Sequence, residues 1–339
     1  MIPEVSVILP VRNAAGTIES AIQSIIDQTF SELELLVILD GSNQATRDIV
    51  KKYARGDRKV QVLEQPPKGI VNALTLGLSH AKGKFIARMD GDDISFPDRI
   101  EKQCAFLNES PKIDLVSCLV QHGGDASTQQ GYLHYINWIN ELISPTAIRL
   151  NRFVESPLAH PSVMFRTASL ATFGSYRKQE GPEDYELWLR WLQQGAHMAK
   201  VPEVLLLWND PDTRLSRTHP AYAENAFLMT KAPYLNQELS NVNSNHPDVA
   251  VWGYGRRTRR KLEYLMNSGL AVNIQCYIDV KPPASGFSEA GIPVYNYQDS
   301  HTYTDQFILC MVNNRGVRAS IREYLIGLNL TEGINFLMC

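Results

Sequence analysis

Short apolar segments alternate with longer amphipathic segments over residues 5–90, and this alternation restricts the possible folds more than any other feature of the chain. The segments VSVILPV and LELLVIL have the length and aliphatic content of buried strands. The stretch TIESAIQSIIDQTF has apolar residues at positions 18, 21, 22, 25 and 26, which is helical spacing, and Thr17 is its predicted cap. Strands that alternate with helices predict a parallel, doubly wound α/β sheet.

Distinctive residues stand where the predicted strands end. Pro10 and Arg12 end the first strand, Asp40 ends the second, and Asp90 ends the strand KFIARMD. Open parallel sheets bind ligands at the carboxyl ends of their strands. The sequence therefore predicts a binding site at this edge of the sheet.

An acidic run, MDGDD, contains Asp90, Asp92 and Asp93. Two carboxylates one residue apart at a strand end can converge on Mg²⁺ or Mn²⁺, which proteins often hold through carboxylates together with substrate phosphates. Gly91 between them lets the backbone pass close to a ligand. The alternative is a solvated acidic turn in which Asp93 caps the following segment.

Other charged residues near these strand ends can contact a nucleotide. Asp40 can accept a hydrogen bond from a nucleobase N–H or a ribose hydroxyl, or it is an ordinary turn aspartate. Arg12 can stack on a base or pair with phosphate, and Lys68 and Arg88 can offset phosphate charge. Taken singly, each of these basic residues is more typical of a solvated surface.

A second acidic pair, Glu183 and Asp184, opens the amphipathic segment EDYELWLRW, which has Trp188 on its apolar face. Acids at a helix N-terminus usually just favour the helix dipole. A carboxylate directed at an acceptor hydroxyl is, however, what a general base for transfer to oxygen requires. His160 in LAHPSVMFR is either structural or a partner for a sugar hydroxyl or a phosphate.

Composition limits the function classes. The 339 residues are 44% hydrophobic with a net charge of −3, so the chain lacks the basic excess of a nucleic-acid binder. No apolar run approaches the ~20 residues that span a bilayer, and no signal peptide is recognised. The five cysteines lack metal-ligand spacing and are expected to be buried thiols of a reducing compartment. We expect a cytoplasmic protein, with a peripheral position at the inner face of the cell membrane left open.

The polar segment 239–247 is typical of a linker, which predicts domains at 1–238 and 248–339. The second domain restarts a strand, glycine turn and helix pattern, and we expect a small Rossmann-like α/β domain.

Gly253 and Gly255 resemble a dinucleotide fingerprint, but Thr258 stands at the third glycine position. This domain either binds a cofactor or serves packing, dimerisation or partner docking. Its basic run RRTRRK is a solvated helix face, or it meets phosphate or an anionic lipid surface.

Five separated blocks resemble the family 2 inverting glycosyltransferases with the GT-A fold: VSVILPVRNAAGTIESAIQSIIDQTF, LLVILDGSNQAT, the stretch from KGIVNAL to PDRIEKQ, HPSVMFR and EDYELWLRW. The resemblance implies a GT-A doubly wound, mostly parallel sheet. It also implies an enzyme, dependent on Mn²⁺ or Mg²⁺, that moves a sugar from a nucleotide-diphosphate sugar to an acceptor hydroxyl, as in surface polysaccharide synthesis.

The resemblance also implies roles for individual residues. The nucleotide-sugar site would comprise Pro10, Val11, Arg12, Asp40, Lys68, Arg88, Asp90, Gly91 and Asp92. The metal ligands would be Asp92 and Asp90, and the catalytic base would be Asp184. His160, Glu183 and Trp188 would serve the acceptor or a nearby loop. Arg214 and Arg217 in DTRLSR are candidate diphosphate contacts.

The chain departs from the family pattern in places. Leu39 stands before Asp40 where many members have a second aspartate, and Gln44 stands where a further aspartate is common. The QxxRW signature of processive synthases does not follow Asp184, so we expect single additions.

The sequence is also compatible with two other functions. A nucleotidyltransferase also uses an acidic metal site, but it ordinarily needs a glycine-rich basic loop that LPVRNAAGT does not provide. The other is a non-catalytic sugar-nucleotide-binding or scaffold protein. For the enzyme, the expected partners are the donor and a glycan or lipid-linked acceptor, with a homo-oligomer through the C-terminal domain.

Overall fold

The computed structural model describes residues 3–211 and 214–339, which form two compact units. The first comprises the described residues of Met1–Arg149, Pro157–Gln179 and Arg190–Thr218, and the second comprises Leu150–Ser156, Glu180–Leu189 and His219–Cys339. The predicted domains 1–238 and 248–339 stay a proposal beside this division.

Within the described residues, the strands of the first unit are β1 (Val5–Val11), β2 (Leu33–Asp40), β3 (Val60–Gln65), β4 (Phe85–Arg88), β5 (Ile94–Ser95), β6 (Leu115–His122), β7 (Met164–Arg166) and β8 (Met198–Trp208). The helices up to residue 218 are α1 (Ile18–Ile26), α2 (Gln44–Gly56), α3 (Ile70–His80), α4 (Arg99–Glu109), α5 (Gln130–Glu141), α6 (Pro145–Asn151), α7 (Ser169–Phe173), α8 (Glu183–Gln193) and α9 (Leu215–Thr218).

The strands of the first unit pair in the order β3-β2-β1-β4-β7-β6-β8-β5. Strands β1 to β4 are parallel, whereas β7 and β5 run antiparallel to their neighbours. This confirms the predicted mostly parallel, doubly wound sheet. The chain passes from β1 to β2 on one side and returns to β4 on the other, so the carboxyl ends of β1 and β4 lie at a topological switch point.

The core of this unit follows the predicted apolar pattern. Strands β1 and β2 are buried along their whole length. Helix α1 buries Ile18, Ala21, Ile22 and Ile25 against them. Thr17 stands at the N-cap position of α1, but the predicted capping role is wrong, because its side-chain oxygen accepts no hydrogen bond from the helix N-terminus. Its hydroxyl donates to the carbonyl oxygen of Gly91 at 2.8 Å.

The second unit contains a parallel sheet with the strands β9 (Asp248–Trp252), β10 (Asn273–Asp279), β11 (Val294–Asn296), β12 (Ile308–Cys310) and β13 (Phe336–Met338). Their order across the sheet is β11-β10-β9-β12-β13. When the five strands are counted within this unit, this is the order 3-2-1-4-5 of a doubly wound, Rossmann-like sheet. The helices of this unit include α10 (Glu224–Val242), α11 (Arg256–Asn267) and α12 (Arg315–Gly327).

Helix α10 is the longest element that the sequence pattern did not predict, and it extends into the proposed linker. It buries polar residues such as Lys231 and Glu238 together with apolar ones, and Pro233 lies inside it. Because both polar and apolar residues face the interior, no clear apolar period marks the helix.

Two further expectations concern the whole chain. All five cysteines are buried free thiols, as predicted. Among the helices of the described residues, none has both the length and the apolar character to cross a bilayer.

Candidate active site

The loop after β4 brings three carboxylates together. Asp90, Asp92 and Asp93 each offer an oxygen, and these oxygens lie within 4.8 Å of one another. Asp90 and Asp92 are half-buried, whereas Asp93 is buried. A ligand set made only of carboxylate oxygens is what Mg²⁺ and Mn²⁺ prefer.

Asp93 has a buried oxygen whose hydrogen-bonding capacity is unused. Its Oδ1 accepts from the backbone N–H of Asn209 at 2.8 Å, whereas its Oδ2 has no hydrogen-bond partner among residues 3–211 and 214–339. Burial, and then the charge of Asp90, raises the pKa of Asp93 well above its usual range. An unsatisfied carboxylate oxygen beside two further carboxylates fits a bound cation.

Asp92 is also in an unfavourable place for an anion. Burial, and then repulsion from Asp90, raises the pKa of Asp92 to about 6, although Arg214 and Arg88 act in the opposite direction. A divalent cation among these oxygens would convert the repulsion into attraction. The residues therefore fit the metal that the family resemblance implies.

Two buried arginines support the acidic loop. Arg88 is 3% exposed, and its Nη2 donates to Asp90 Oδ1 at 2.6 Å. The guanidinium of Arg99 is fully buried and donates to the carbonyl oxygen of Arg88 at 2.6 Å. Arg88 is therefore a buried partner of Asp90, whereas the sequence suggested only a charge near the diphosphate.

The backbone of the acidic loop is held from two sides. Asn209, directly after β8, donates through its side chain to the carbonyl oxygen of Asp92 at 2.6 Å, and Thr17 holds the carbonyl of Gly91. A Cβ atom on Gly91 would lie 3.2 Å from Val11 Cγ2, so the glycine here permits close packing. Asn209 was not among the predicted site residues, although its position directly after the apolar run VLLLW was a usable signal.

Asp40 organises the loop between β3 and α3. Its carboxylate accepts from the Gln65 side chain at 2.7 Å and from the backbone N–H groups of Lys68 at 2.8 Å and Gly69 at 3.0 Å. Asp40 is 4% exposed. Its first role in this structure is thus to shape the loop, and a contact with base or ribose would use its remaining lone pair.

Replacing Asp40 by alanine should lower the free energy of unfolding by roughly 1.5–3 kcal/mol, because two backbone donors lose a charged acceptor. The shift of the urea midpoint measures this. Asp48→Ala is the matched control, since Asp48 is exposed on α2 and its side chain accepts from that of Gln44 alone among the described residues. Equal shifts for the two variants would contradict the organising role of Asp40.

The remaining predicted nucleotide contacts lie at or near the same edge of the sheet. Pro10 and Val11 are buried, whereas Arg12 and Lys68 are exposed. The loops after β1 and β2 are joined, because Asn13 Oδ1 accepts from the Asn43 N–H at 2.8 Å.

The segment DTRLSR lies partly outside the described residues. The guanidinium of Arg214 lies 4.5 Å from the Trp208 ring centre, and it hydrogen-bonds the Tyr132 hydroxyl. Its charge acts on the acidic cluster, as the pKa of Asp92 shows. Arg217 pairs with Asp210 instead, donating from Nε at 2.8 Å.

His160 is buried, and its Nε2 lies 2.7 Å from the Tyr176 hydroxyl. Burial, followed by the nearby charge of Arg88, lowers the pKa of His160 well below its usual value. The imidazole is therefore neutral near pH 7.

The second acidic pair opens helix α8 and belongs to the second unit. Glu183 is buried and accepts from the Tyr222 hydroxyl at 2.6 Å. Asp184 is half-buried, and its Oδ1 accepts from the N–H of Tyr185 at 2.7 Å. Trp188 is fully buried. Asp184 is thus more exposed to solvent than Glu183.

Residues 6–174 match the model of the glycosyl transferase family 2. The putative glycosyltransferase EpsE of Bacillus subtilis is 30% identical over 236 residues, which cover 68% of this chain and 82% of EpsE. The chain belongs to glycosyl transferase family 2. This family 2 glycosyltransferase is also 27% identical to the O-antigen biosynthesis glycosyltransferase WbnJ of Escherichia coli over 248 residues, 71% of this chain and 92% of WbnJ. It is thus related to enzymes of polysaccharide biosynthesis.

Comparison of structures agrees on the fold of the family 2 glycosyltransferase. S. aureus TarS 1–349, solved in complex with UDP-GlcNAc, has a TM-score of 0.53 at 19% identity, covering 70% of this chain and 73% of that chain. The likeness confirms the GT-A fold predicted from the sequence. The match to the family model ends before Asp184.

Proposed function

We propose that this glycosyltransferase is metal-dependent and inverting, and that it moves a sugar from a nucleotide-diphosphate sugar to an acceptor hydroxyl in surface polysaccharide or glycan synthesis. The observation that carries the proposal is the buried, unsatisfied Oδ2 of Asp93 beside Asp90 and Asp92. The relation to WbnJ, which is named for O-antigen biosynthesis, supports the process, and the UDP-GlcNAc complex of TarS supports the donor class.

In this proposal the donor lies at the carboxyl ends of β1, β2 and β4. Pro10, Val11, Arg12 and Asp40 would face the base and ribose. Lys68 and Arg88 would favour the diphosphate, with Arg88 acting through its ion pair to Asp90.

Asp92 and Asp90 would hold Mn²⁺ or Mg²⁺, with Gly91 letting the loop pack closely against β1. The bound ion would supply Lewis-acid stabilisation of the charge on the departing diphosphate. Asp93 would add negative charge that favours the ion, and Arg214 would remain as a cation beside the loop.

Asp184 is the proposed general base. Its carboxylate takes the proton of the acceptor hydroxyl while that oxygen forms a bond to the anomeric carbon. The bond from this carbon to the diphosphate oxygen breaks at the same time, and the nucleoside diphosphate leaves with the electron pair. Attack from the opposite face inverts the configuration. Glu183, His160 and Trp188 would shape the acceptor side or a neighbouring loop.

A panel of UDP-, GDP- and dTDP-sugars tests the proposal. We expect release of nucleoside diphosphate from one donor class in the presence of Mn²⁺ or Mg²⁺, and loss of this release with EDTA. Release that is insensitive to EDTA would contradict metal dependence. An α-linked product from an α-linked donor, read by NMR, would contradict inversion.

A further inference from the structure

Two helices of the second unit have basic residues at the N-terminus, where a positive charge is electrostatically unfavourable. Helix α11 starts with RRTRRK, and α12 has Arg315 and Arg318 in its first four residues. Neither helix has an acidic residue in its first turn. Because a helix N-terminus carries partial positive charge, basic side chains there are unfavourable unless an anion binds.

These two N-termini follow the two strands at the switch point of the second sheet. Helix α11 follows β9 and α12 follows β12, and the two strands are parallel neighbours. Val251 packs in one core cluster with Leu262 of α11, whereas the ring of Trp252 contacts Tyr324 of α12 at 5.8 Å. Consecutive strand residues face opposite sides, so the helices cover opposite faces and both begin at the carboxyl edge.

The backbone of the glycine fingerprint after β9 packs closely against neighbouring side chains. A Cβ on Gly253 would lie 3.1 Å from Thr258 Oγ1 and 3.3 Å from Val312 Cγ2. The carboxylate of Asp279 already accepts the N–H of Tyr254 at 2.8 Å. These contacts disfavour a dinucleotide in the loop after β9.

Arg318 is the unusual residue at the start of α12. It is 8% exposed, yet its guanidinium makes no hydrogen bond or ion pair with any residue in the described part of the chain. The charge of Glu155 acts on Arg318, but the carboxylate of Glu155 pairs with Arg315 at 2.9 Å. Burial lowers the pKa of Arg318 to about 10.

Lys261 adds a second buried cation close to Arg318. Its Nζ donates to Asn313 Oδ1 at 3.2 Å and to the carbonyl oxygen of Cys339 at 3.0 Å, at the carboxyl ends of β12 and β13. Burial lowers the pKa of Lys261, and the charge of Arg318 acts in the same direction.

We propose that the carboxyl edge of the second sheet binds a phosphate group, which is held by the N-terminus of α12 and the guanidinium of Arg318, with Lys261 nearby. Backbone N–H groups at a helix N-terminus suit phosphate, and the planar guanidinium matches two of its oxygens. Two buried cations favour a multiply charged anion over a single carboxylate. The phosphate belongs either to a soluble molecule or to a lipid head group.

Titration calorimetry on the full chain with inorganic pyrophosphate tests the site. EDTA is present throughout, so that the acidic loop of the first unit holds no metal. We expect wild-type protein to bind and Arg318→Met to lower the affinity at least 10-fold, with Arg318→Lys between them. Arg58→Met is the control of equal charge, because Arg58 is exposed in the first unit.

A second arm identifies the source of the phosphate. Wild-type protein and Arg318→Met are floated with phosphatidylcholine vesicles that contain or lack phosphatidic acid. Arg318-dependent flotation with phosphatidic acid assigns the site to a lipid head group, whereas pyrophosphate binding alone assigns it to a soluble phosphate.

The melting temperature without ligand checks the fold of the variants. Arg318→Met should melt no lower than wild type, because the guanidinium of Arg318 makes no hydrogen bond with the described residues. Pyrophosphate should raise the melting temperature of wild type only. If Arg318→Met does not fold, Arg318→Lys decides. Binding that is unchanged by the substitution at Arg318, or equally weakened by Arg58→Met, would overturn the site.

Discussion

Replacing Asp184 by asparagine should lower kcat about 10²- to 10⁴-fold, the usual contribution of a general base. The amide keeps the size and the hydrogen bond from the N–H of Tyr185, but it cannot take a proton from the acceptor. Donor affinity should stay nearly unchanged, because Asp184 is not among the proposed nucleotide contacts. Steady-state transfer and calorimetry with the donor measure the two quantities separately.

The control for Asp184 lies in the same helical turn. Glu186 is buried and accepts from the Tyr234 hydroxyl at 2.6 Å, so that Glu186→Gln removes the same charge and keeps the acceptor oxygen. We expect this variant to retain most of the activity. A loss of donor affinity with normal turnover in Asp184→Asn would remove Asp184 from the role of base.

Replacing Asp92 by asparagine should weaken Mn²⁺-dependent nucleotide binding at least 100-fold, more than the roughly 10- to 100-fold that loss of an outer-shell partner costs. The asparagine removes a charged oxygen from the cluster of three. Calorimetry with the nucleotide, with and without Mn²⁺, measures the effect. Asp48→Asn, the same change on the exposed face of α2, should bind as wild type does.

The urea concentration at which Asp92→Asn unfolds distinguishes a role of Asp92 as metal ligand from a role in supporting the fold. At pH 7 without metal, Asp92 is ionised beside Asp90 in a place that raises its pKa to about 6, so its charge opposes folding. Asp92→Asn should therefore unfold at the same or a higher urea concentration than wild type in EDTA. A destabilised variant that binds nucleotide normally with Mn²⁺ would show that Asp92 supports the fold and not the metal.

The acidic loop shows which features of the site can be predicted from residue patterns and which cannot. The apolar run before Asp90 and the spacing of Asp90 and Asp92 predicted a cluster at a strand end, and the carboxylates do meet there. The pattern gave Asp93 only the part of a cap for the following segment, in the alternative reading of the acidic run. Its Oδ1 accepts from the backbone of Asn209, which lies 116 positions away, while its Oδ2 stays buried and unsatisfied, and local spacing contains no information on either.

Thr17 and Arg88 show the same limit in a different way. Thr17 lies at the start of α1, as predicted. Its hydroxyl donates to the carbonyl of Gly91, which the fold brings close to it. Arg88 was recognisable as a charge near the site. Its burial beside Asp90 follows from the pairing of β4 with β1 and β7, which the sequence does not specify.

The sequence by itself determined the alternating strands and helices of residues 5–90, the α/β class of both units, the family, and the edge at which the acidic residues gather. Those properties follow from apolar periodicity and from motifs contained in single strands or loops, so they are local. Only the tertiary structure decided which polar atoms are buried without a hydrogen-bond partner, such as Asp93 Oδ2, and which side chains are buried, such as Arg318. The burial of a polar group and its hydrogen-bond partners depend on segments far apart in the chain. The free energy of a charged group is set by that burial and by those partners.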